Sequence, residues 1–172
     1  MMSTEQDPTA PLWYFAYGSN LQHATFTERR QMRPLDTRWG WLDDYRLCFD
    51  IPVGSGERGV ANITPMPGAR TCGALYLLTA DDFARLDRTE GVHFELYRRV
   101  RVEVVAPNQE RITAFAYHSS VVVDGRKPSP RYMRLLLEGA REHGLPAEWI
   151  QFLSGLPLAA KKRTADSSDT SS

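Results

Sequence analysis

Over most of this chain, large apolar side chains fall in short alternating runs broken by glycine and proline, a pattern that predicts strands more than helices. Leu12-Trp13-Tyr14-Phe15-Ala16 reads as a first strand that runs straight into the turn Tyr17-Gly18-Ser19-Asn20. Leu21 to Met32 predicts a short helix. Thr37 to Ile51 predicts one long or bent strand, with Trp39, Trp41, Tyr45, Leu47 and Phe49 at alternate positions as core and rim. Val53 to Gly59 is a glycine-rich loop. Val60 to Thr64 predicts a strand stopped by Pro65 and Pro67, and Thr71 to Leu78 predicts another. Thr79 then caps a helix whose first turn carries Asp81 and Asp82, favourable near the positive helix end. Tyr97 to Val105 and Arg111 to His118 are two strands around the turn Pro107-Asn108-Gln109. Ser129-Pro130, an N-cap followed by proline at N1, opens a helix to His143. Gly144 ends it, and Pro146 starts a last helix to about Leu153. Few helices separate the strands, so the pattern is not a βαβ ladder. It predicts an α+β domain with a mixed, strongly curved or barrel-like sheet.

Composition narrows the setting. The chain has 172 residues, which suits one domain, and 42% are hydrophobic, enough for a core. Residues 1–11 read as a flexible leader and residues 12–157 as a single domain. Residues 158–172, basic and then rich in Ser, Thr and Asp, read as a disordered tail. The formal net charge is zero, which argues against a nucleic-acid or anionic-membrane partner. No apolar run approaches the roughly 18 residues needed to span a bilayer. Cys48 and Cys72 lack CxxC spacing, so a reduced, cytoplasmic protein is the simplest reading. The aromatic content permits a homodimer.

Two features carry chemistry. Gly18 lets a ligand approach the backbone closely, and the N–H groups of Gly18, Ser19 and Asn20 lie between a strand end and a helix start. Such donors suit a carboxylate or a developing oxyanion. Phe83, Leu86 and Glu90 share one helical face, which points the Glu90 carboxylate toward an interior or a pocket. Desolvation there would raise its pKa, as a general acid/base needs. Together they suit proton transfer on a small carbonyl substrate. On the residues alone, two plainer readings stay open. The turn equally fits an ordinary connection with Asn20 as N-cap, and Glu90 equally fits a solvated residue at a fraying helix end. Tyr132 could point its phenol into a cleft or pack in the core. Gly54 to Gly59 fits G-x-G-x-x-G, but a proline-ended strand follows where a phosphate-binding fingerprint needs a helix. The four histidines show no metal-ligand spacing, so neither a metal nor a cofactor is expected. Ser19 lacks the G-x-S-x-G setting of a nucleophile elbow.

These motifs assemble into a resemblance. Tyr14-Phe15-Ala16-Tyr17-Gly18-Ser19-Asn20-Leu21 resembles the signature of the γ-glutamylcyclotransferase family. Leu86-Asp87 with Glu90-Gly91-Val92 and Tyr97 resembles the segment that carries its catalytic glutamate. Ser129-Pro130-Arg131-Tyr132 and Gly144-Leu145-Pro146 resemble the γ-glutamylcyclotransferases proper more than the γ-glutamylamine branch. The match runs from Trp13 to about Leu156, and it departs at His93-Phe94-Glu95-Leu96 and in the short Gly54–Gly59 loop. The resemblance implies a small closed or nearly closed β-barrel decorated by helices, with the site at its mouth. It implies conversion of a γ-glutamyl compound to 5-oxoproline plus a free amine or amino acid. Carried over by position, Glu90 is the acid/base, Tyr14, Phe15, Ala16, Tyr17, Gly18, Ser19 and Asn20 form the substrate loop, and Tyr132 contacts substrate. Three alternatives stand beside this: a Ser19-dependent γ-glutamyl hydrolase, a non-catalytic binding module, and a cyclotransferase for another γ-glutamyl-protected metabolite.

Overall fold

The computed structural model describes residues 7–92 and 96–160. Five strands, β1 (Leu12–Ala16), β2 (Asp36–Pro52), β3 (Gly59–Leu78), β4 (Arg98–Val105) and β5 (Arg111–His118), close into a barrel in the order β1-β3-β2-β4-β5. Neighbours are antiparallel except β1 and β5, which run parallel, so the sheet is mixed. Closure removes the sheet edges that a five-stranded open sheet would expose. Three helices decorate it: α1 (Ala80–Thr89), α2 (Pro130–Glu142) and α3 (Ala147–Ser154). Thr79 and Ser129 cap α1 and α2 by accepting from the N–H groups of Asp82 and Tyr132 at 3.1 and 3.0 Å.

Residues 60–78, expected as two strands, form a single strand. The register jumps between Arg70, opposite Asp43, and Pro65, opposite Tyr45, so residues 66–69 bulge outward. Pro67 falls inside this bulge, where a missing N–H costs no ladder bond, and Pro65 stands at its border, opposite Tyr45. Asp44 on β2 meets the bulge with φ 63° and accepts from the Gly68 N–H at 2.9 Å. That residue also resets the alternation of β2. Before it Gly40 and Leu42 are buried, and after it Leu47 and Phe49 are. Trp39 and Trp41, expected to share a face with Leu47, are half-buried instead, and the edge of the Trp149 ring from α3 meets Trp41.

The segment 21–32, expected as one helix, is a 3₁₀ turn at Ser19–Leu21 followed by a π-helical stretch at Ala24–Arg29, in which the Arg30 N–H reaches Thr25 O at 3.1 Å. Phe26 from this stretch stacks on Tyr76 with centroids 4.2 Å apart, and Tyr14 stacks beside both. Residues 158–160, expected in the tail, are tied to the loops beside the barrel: Ala159 is buried and its N–H donates to Pro128 O at 2.8 Å, and the Ala160 N–H donates to Glu57 Oε2 at 3.1 Å. The rest of the expected leader and tail, residues 1–6 and 161–172, lies outside the described residues, as do His93, Phe94 and Glu95. Among the described residues, no helix is long and apolar enough to cross a membrane.

Candidate active site

A cleft of about 340 Å³ opens where β1 ends, and Tyr14, Tyr17, Gly18, Ser19, Asn20, Glu90 and Tyr132 line it together with Ala61, Tyr97 and Tyr117. Phe15 and Ala16 do not line it. Both are fully buried in the barrel core: Phe15 lies on the strand face opposite Tyr14, and Ala16, on the same face as Tyr14, has too short a side chain to reach the cleft. The main-chain bonds of the turn begin at the Leu21 N–H, which donates to Gly18 O at 3.0 Å. The N–H groups of Ser19 and Asn20 therefore open the helical turn, where helix starts carry their orphan donors. A side chain at Gly18 would be crowded: a Cβ there would lie 3.0 Å from the Tyr132 hydroxyl and 3.2 Å from the Ala61 Cβ. The Tyr132 hydroxyl in turn accepts from the Ala61 N–H at 3.1 Å.

Glu90 sits at the C-cap of α1, one residue past the helix, and Gly91 follows with φ 70°. The positive φ ends the helix and leaves the Glu90 side chain, 16% exposed, turned into the cleft. The Asn20 Nδ2 donates to Glu90 Oε1 at 3.2 Å and to the Tyr14 hydroxyl at 2.9 Å. Burial raises the Glu90 pKa above the usual carboxylate value; the Arg30 guanidinium and the Asn20 hydrogen bond pull it partly back, and Asp87 adds to the rise. Arg30 Nη1 stands 3.9 Å from Glu90 Oε1.

A second layer fixes these groups. The Tyr76 hydroxyl lies 2.9 Å from Asn20 O and 2.8 Å from the Nε2 of His143, and that nitrogen lies 2.9 Å from Leu21 O. Burial pushes the His143 pKa down. Asp87, one turn before Glu90, takes a bidentate pair from Arg99 at 2.7 and 2.8 Å and a hydrogen bond from the Tyr117 hydroxyl at 2.6 Å. Tyr17 donates to Tyr117 O at 2.5 Å, which ties the start of the turn to β5.

Sequence reasoning missed Arg30, Ala61 and Tyr117. Arg30, at the C-cap of the π-helical stretch, reaches Glu90 from 60 residues away in sequence, and no spacing rule signals that. Ala61 contributes its backbone N–H, which is invisible in a side-chain pattern. Tyr117 follows the strand alternation of Arg111 to His118, but nothing marks which strand face meets the cleft. The rival nucleophiles are poorly placed. The Ser19 hydroxyl lies beside the Tyr132 phenol, and among the described residues it bonds to no histidine or carboxylate. Burial pushes the thiols of Cys48 and Cys72 up to about 12, so both are protonated at neutral pH.

Residues 70–153 match the AIG2-like family. The γ-glutamylcyclotransferases of Bos taurus and Homo sapiens are each 31% identical over 150 residues, covering 83% of this chain and 77% of theirs. A solved structure of a γ-glutamyl cyclotransferase superposes with a TM-score of 0.76 at 27% identity, covering 93% of this chain and 97% of that one. By sequence and by barrel, this chain belongs to the γ-glutamylcyclotransferase family of enzymes.

Proposed function

We propose that the protein cyclises a γ-glutamyl amino acid or peptide to 5-oxoproline and releases the free amine, with Glu90 as both base and acid. The observation that carries this reading is the Glu90 carboxylate, buried and held by Asn20 in the same cleft as the Gly18 turn. The α-ammonium of the substrate gives a proton to Glu90. The freed amine attacks its own γ-carbonyl carbon, forming the ring C–N bond. The oxyanion faces the N–H groups of the turn, where fixed donors stabilise developing charge. The tetrahedral centre then collapses as Glu90 gives its proton to the departing nitrogen and the bond to that nitrogen breaks. Glu90 takes the second proton from the ring nitrogen, leaving the neutral lactam, and passes it to the freed amine, which departs as an ammonium. No water is consumed. Because nucleophile and electrophile belong to one molecule, the cleft has mainly to hold the folded conformer. The tyrosines that line it are suited to holding it, since Tyr14 and Tyr132 are desolvated and burial keeps their phenols protonated as donors.

The test is a panel of γ-glutamyl amino acids, γ-glutamyl amines and glutathione scored for 5-oxoproline by mass spectrometry. Glu90→Gln should lower turnover on the order of 10²–10⁴-fold in a folded protein, as loss of an acid/base does. Free glutamate in place of 5-oxoproline, with Ser19→Ala inactive and Glu90→Gln nearly normal, would establish the hydrolase instead.

A further inference from the structure

A second hollow, of about 610 Å³, adjoins the cleft. The two share the wall formed by Tyr132, and β3 passes from one to the other, with Gly59 and Val60 lining the hollow and Ala61 the cleft. Three arginines line the hollow: Arg29, Arg58 and Arg131. Among the described residues, none of the three pairs with a carboxylate, and no carboxylate lines the hollow.

Three guanidiniums that line one concavity with no carboxylate among them give it a positive potential, which favours an anion over a neutral group. Arg131 is placed against its own helix as well. It lies in the first turn of α2, directly after Pro130, where the helix dipole disfavours a cation and where this helix has no acidic residue. Arg58 is presented by a braced loop: Val53 N–H donates to Arg58 O at 3.1 Å, and Arg126 Nη1 donates to the same oxygen at 3.1 Å. Arginine suits carboxylate recognition because its planar fork binds both oxygens.

Resting on the cyclisation reading above, we infer that Arg29, Arg58 and Arg131 of this hollow bind the leaving portion and favour γ-glutamyl compounds whose leaving amino acid carries a second carboxylate in its side chain. With the γ-glutamyl group in the cleft, the departing portion passes Tyr132 toward the arginines. A carboxylate on the leaving amino acid meets them, and a second carboxylate adds further hydrogen bonds.

The test compares γ-glutamylglutamate, γ-glutamylglutamine and γ-glutamylglutamine amide, near-isosteric compounds whose leaving portions carry successively fewer negative charges. In the wild-type protein, kcat/KM for 5-oxoproline release should fall in that order, by about tenfold for each charge-assisted hydrogen bond removed. Added salt should compress the ranking. The triple substitution Arg29→Gln/Arg58→Gln/Arg131→Gln, at exposed positions, should bring the three substrates toward parity. Equal kcat/KM for all three in the wild-type protein, or a ranking unchanged in the triple variant, overturns the subsite. Calorimetric binding of the same three compounds to Glu90→Gln separates the subsite from the cyclisation. Charge-ranked binding with no 5-oxoproline from the wild-type protein keeps the subsite and removes the cyclisation. Turnover without charge ranking does the reverse.

Discussion

The ionised state that the proposed role of Glu90 requires is one the fold disfavours. Its folded-state pKa is raised above the ordinary glutamate value of 4.5. Below that value the carboxyl is protonated whether the chain is folded or not, and Glu90 has no effect on the balance. As pH rises, the unfolded chain loses the proton first, so stability falls until the folded carboxyl also ionises, and it stays lowered above that. Glu90→Gln should therefore melt higher than the wild-type protein at neutral pH, and the difference should close in melts below pH 4.5. An equal or lower melting temperature at neutral pH would mean that the ionised carboxylate is well solvated. Arg30 acts on the same equilibrium, because its guanidinium favours the charged form. Arg30→Gln should shift the acid limb of the pH profile of kcat/KM to higher pH, since the base then ionises later. An unmoved limb would separate Arg30 from Glu90. At this scale the site is half legible in the sequence. The helical spacing of Phe83, Leu86 and Glu90 points the acid inward without help from distant residues. Arg30 comes from a distant part of the sequence, which no local pattern signals. Phe15 and Ala16 belong to the family motif but not to the cleft, and strand alternation alone argues that Phe15 cannot share the face of Tyr14.

Between elements, α2 packs closely against the 3₁₀ turn. Gly139 makes it possible: a Cβ there would lie 2.5 Å from the Leu21 carbonyl carbon and 2.7 Å from the Gln22 nitrogen. A glycine inside a helix costs about 1 kcal/mol relative to alanine, so its presence in α2 works against helix propensity and serves the packing. Gly139→Ala should push the turn away from α2 and cost about 1–3 kcal/mol through overpacking. The displaced turn carries Asn20, so kcat/KM should fall further than the loss of stability explains at temperatures where the variant stays folded. Normal kinetics in a destabilised Gly139→Ala protein would show that the placement of the turn against α2 is immaterial to the site. Capped helices such as α1 and α2 are readable from sequence because Thr79 and Ser129 act on donors three residues away. The continuity of β3 is not, because Pro65 and Pro67 signal a break, and whether a proline ends a strand or sits at a bulge depends on the partner. Here the partner is Asp44, at φ 63°, bonded to the Gly68 N–H.

Across the whole molecule, the barrel is stitched unevenly, and the site lies on its weaker side. The β2–β3 ribbon pairs nearly along its full length, and β4 pairs with β5 along its whole length. The hairpin of β4 and β5 joins the rest through two short seams, Trp41 and Leu42 against Val105 and Val104, and Trp13 and Tyr14 against Ala114 and Phe115. Local opening follows such seams, since few backbone bonds must break. Side chains reinforce the junction. Arg99 on β4 grips Asp87 on α1 and lies over the Phe83 ring at 3.7 Å, while Tyr117 on β5 donates to the same carboxylate. Asp87 thus fastens both hairpin strands to the helix that ends in Glu90. Asp87→Asn leaves the volume in place but removes the charge that both partners address. Hydrogen bonds to a charged group contribute about 1.5–3 kcal/mol, although solvent discounts this pair because both side chains are partly exposed. A loss of about 1–2 kcal/mol would lower the melting temperature by roughly 2–8 °C in a domain of this size. Exchange should quicken selectively at the amides of β4 and β5 and hardly at all in the middle of β2 and β3. kcat should fall with it, because Glu90 then rides on a helix that is free to move relative to the barrel mouth. Uniform acceleration of exchange over all five strands would show instead that the barrel opens only as a whole and that Asp87 is an ordinary surface carboxylate.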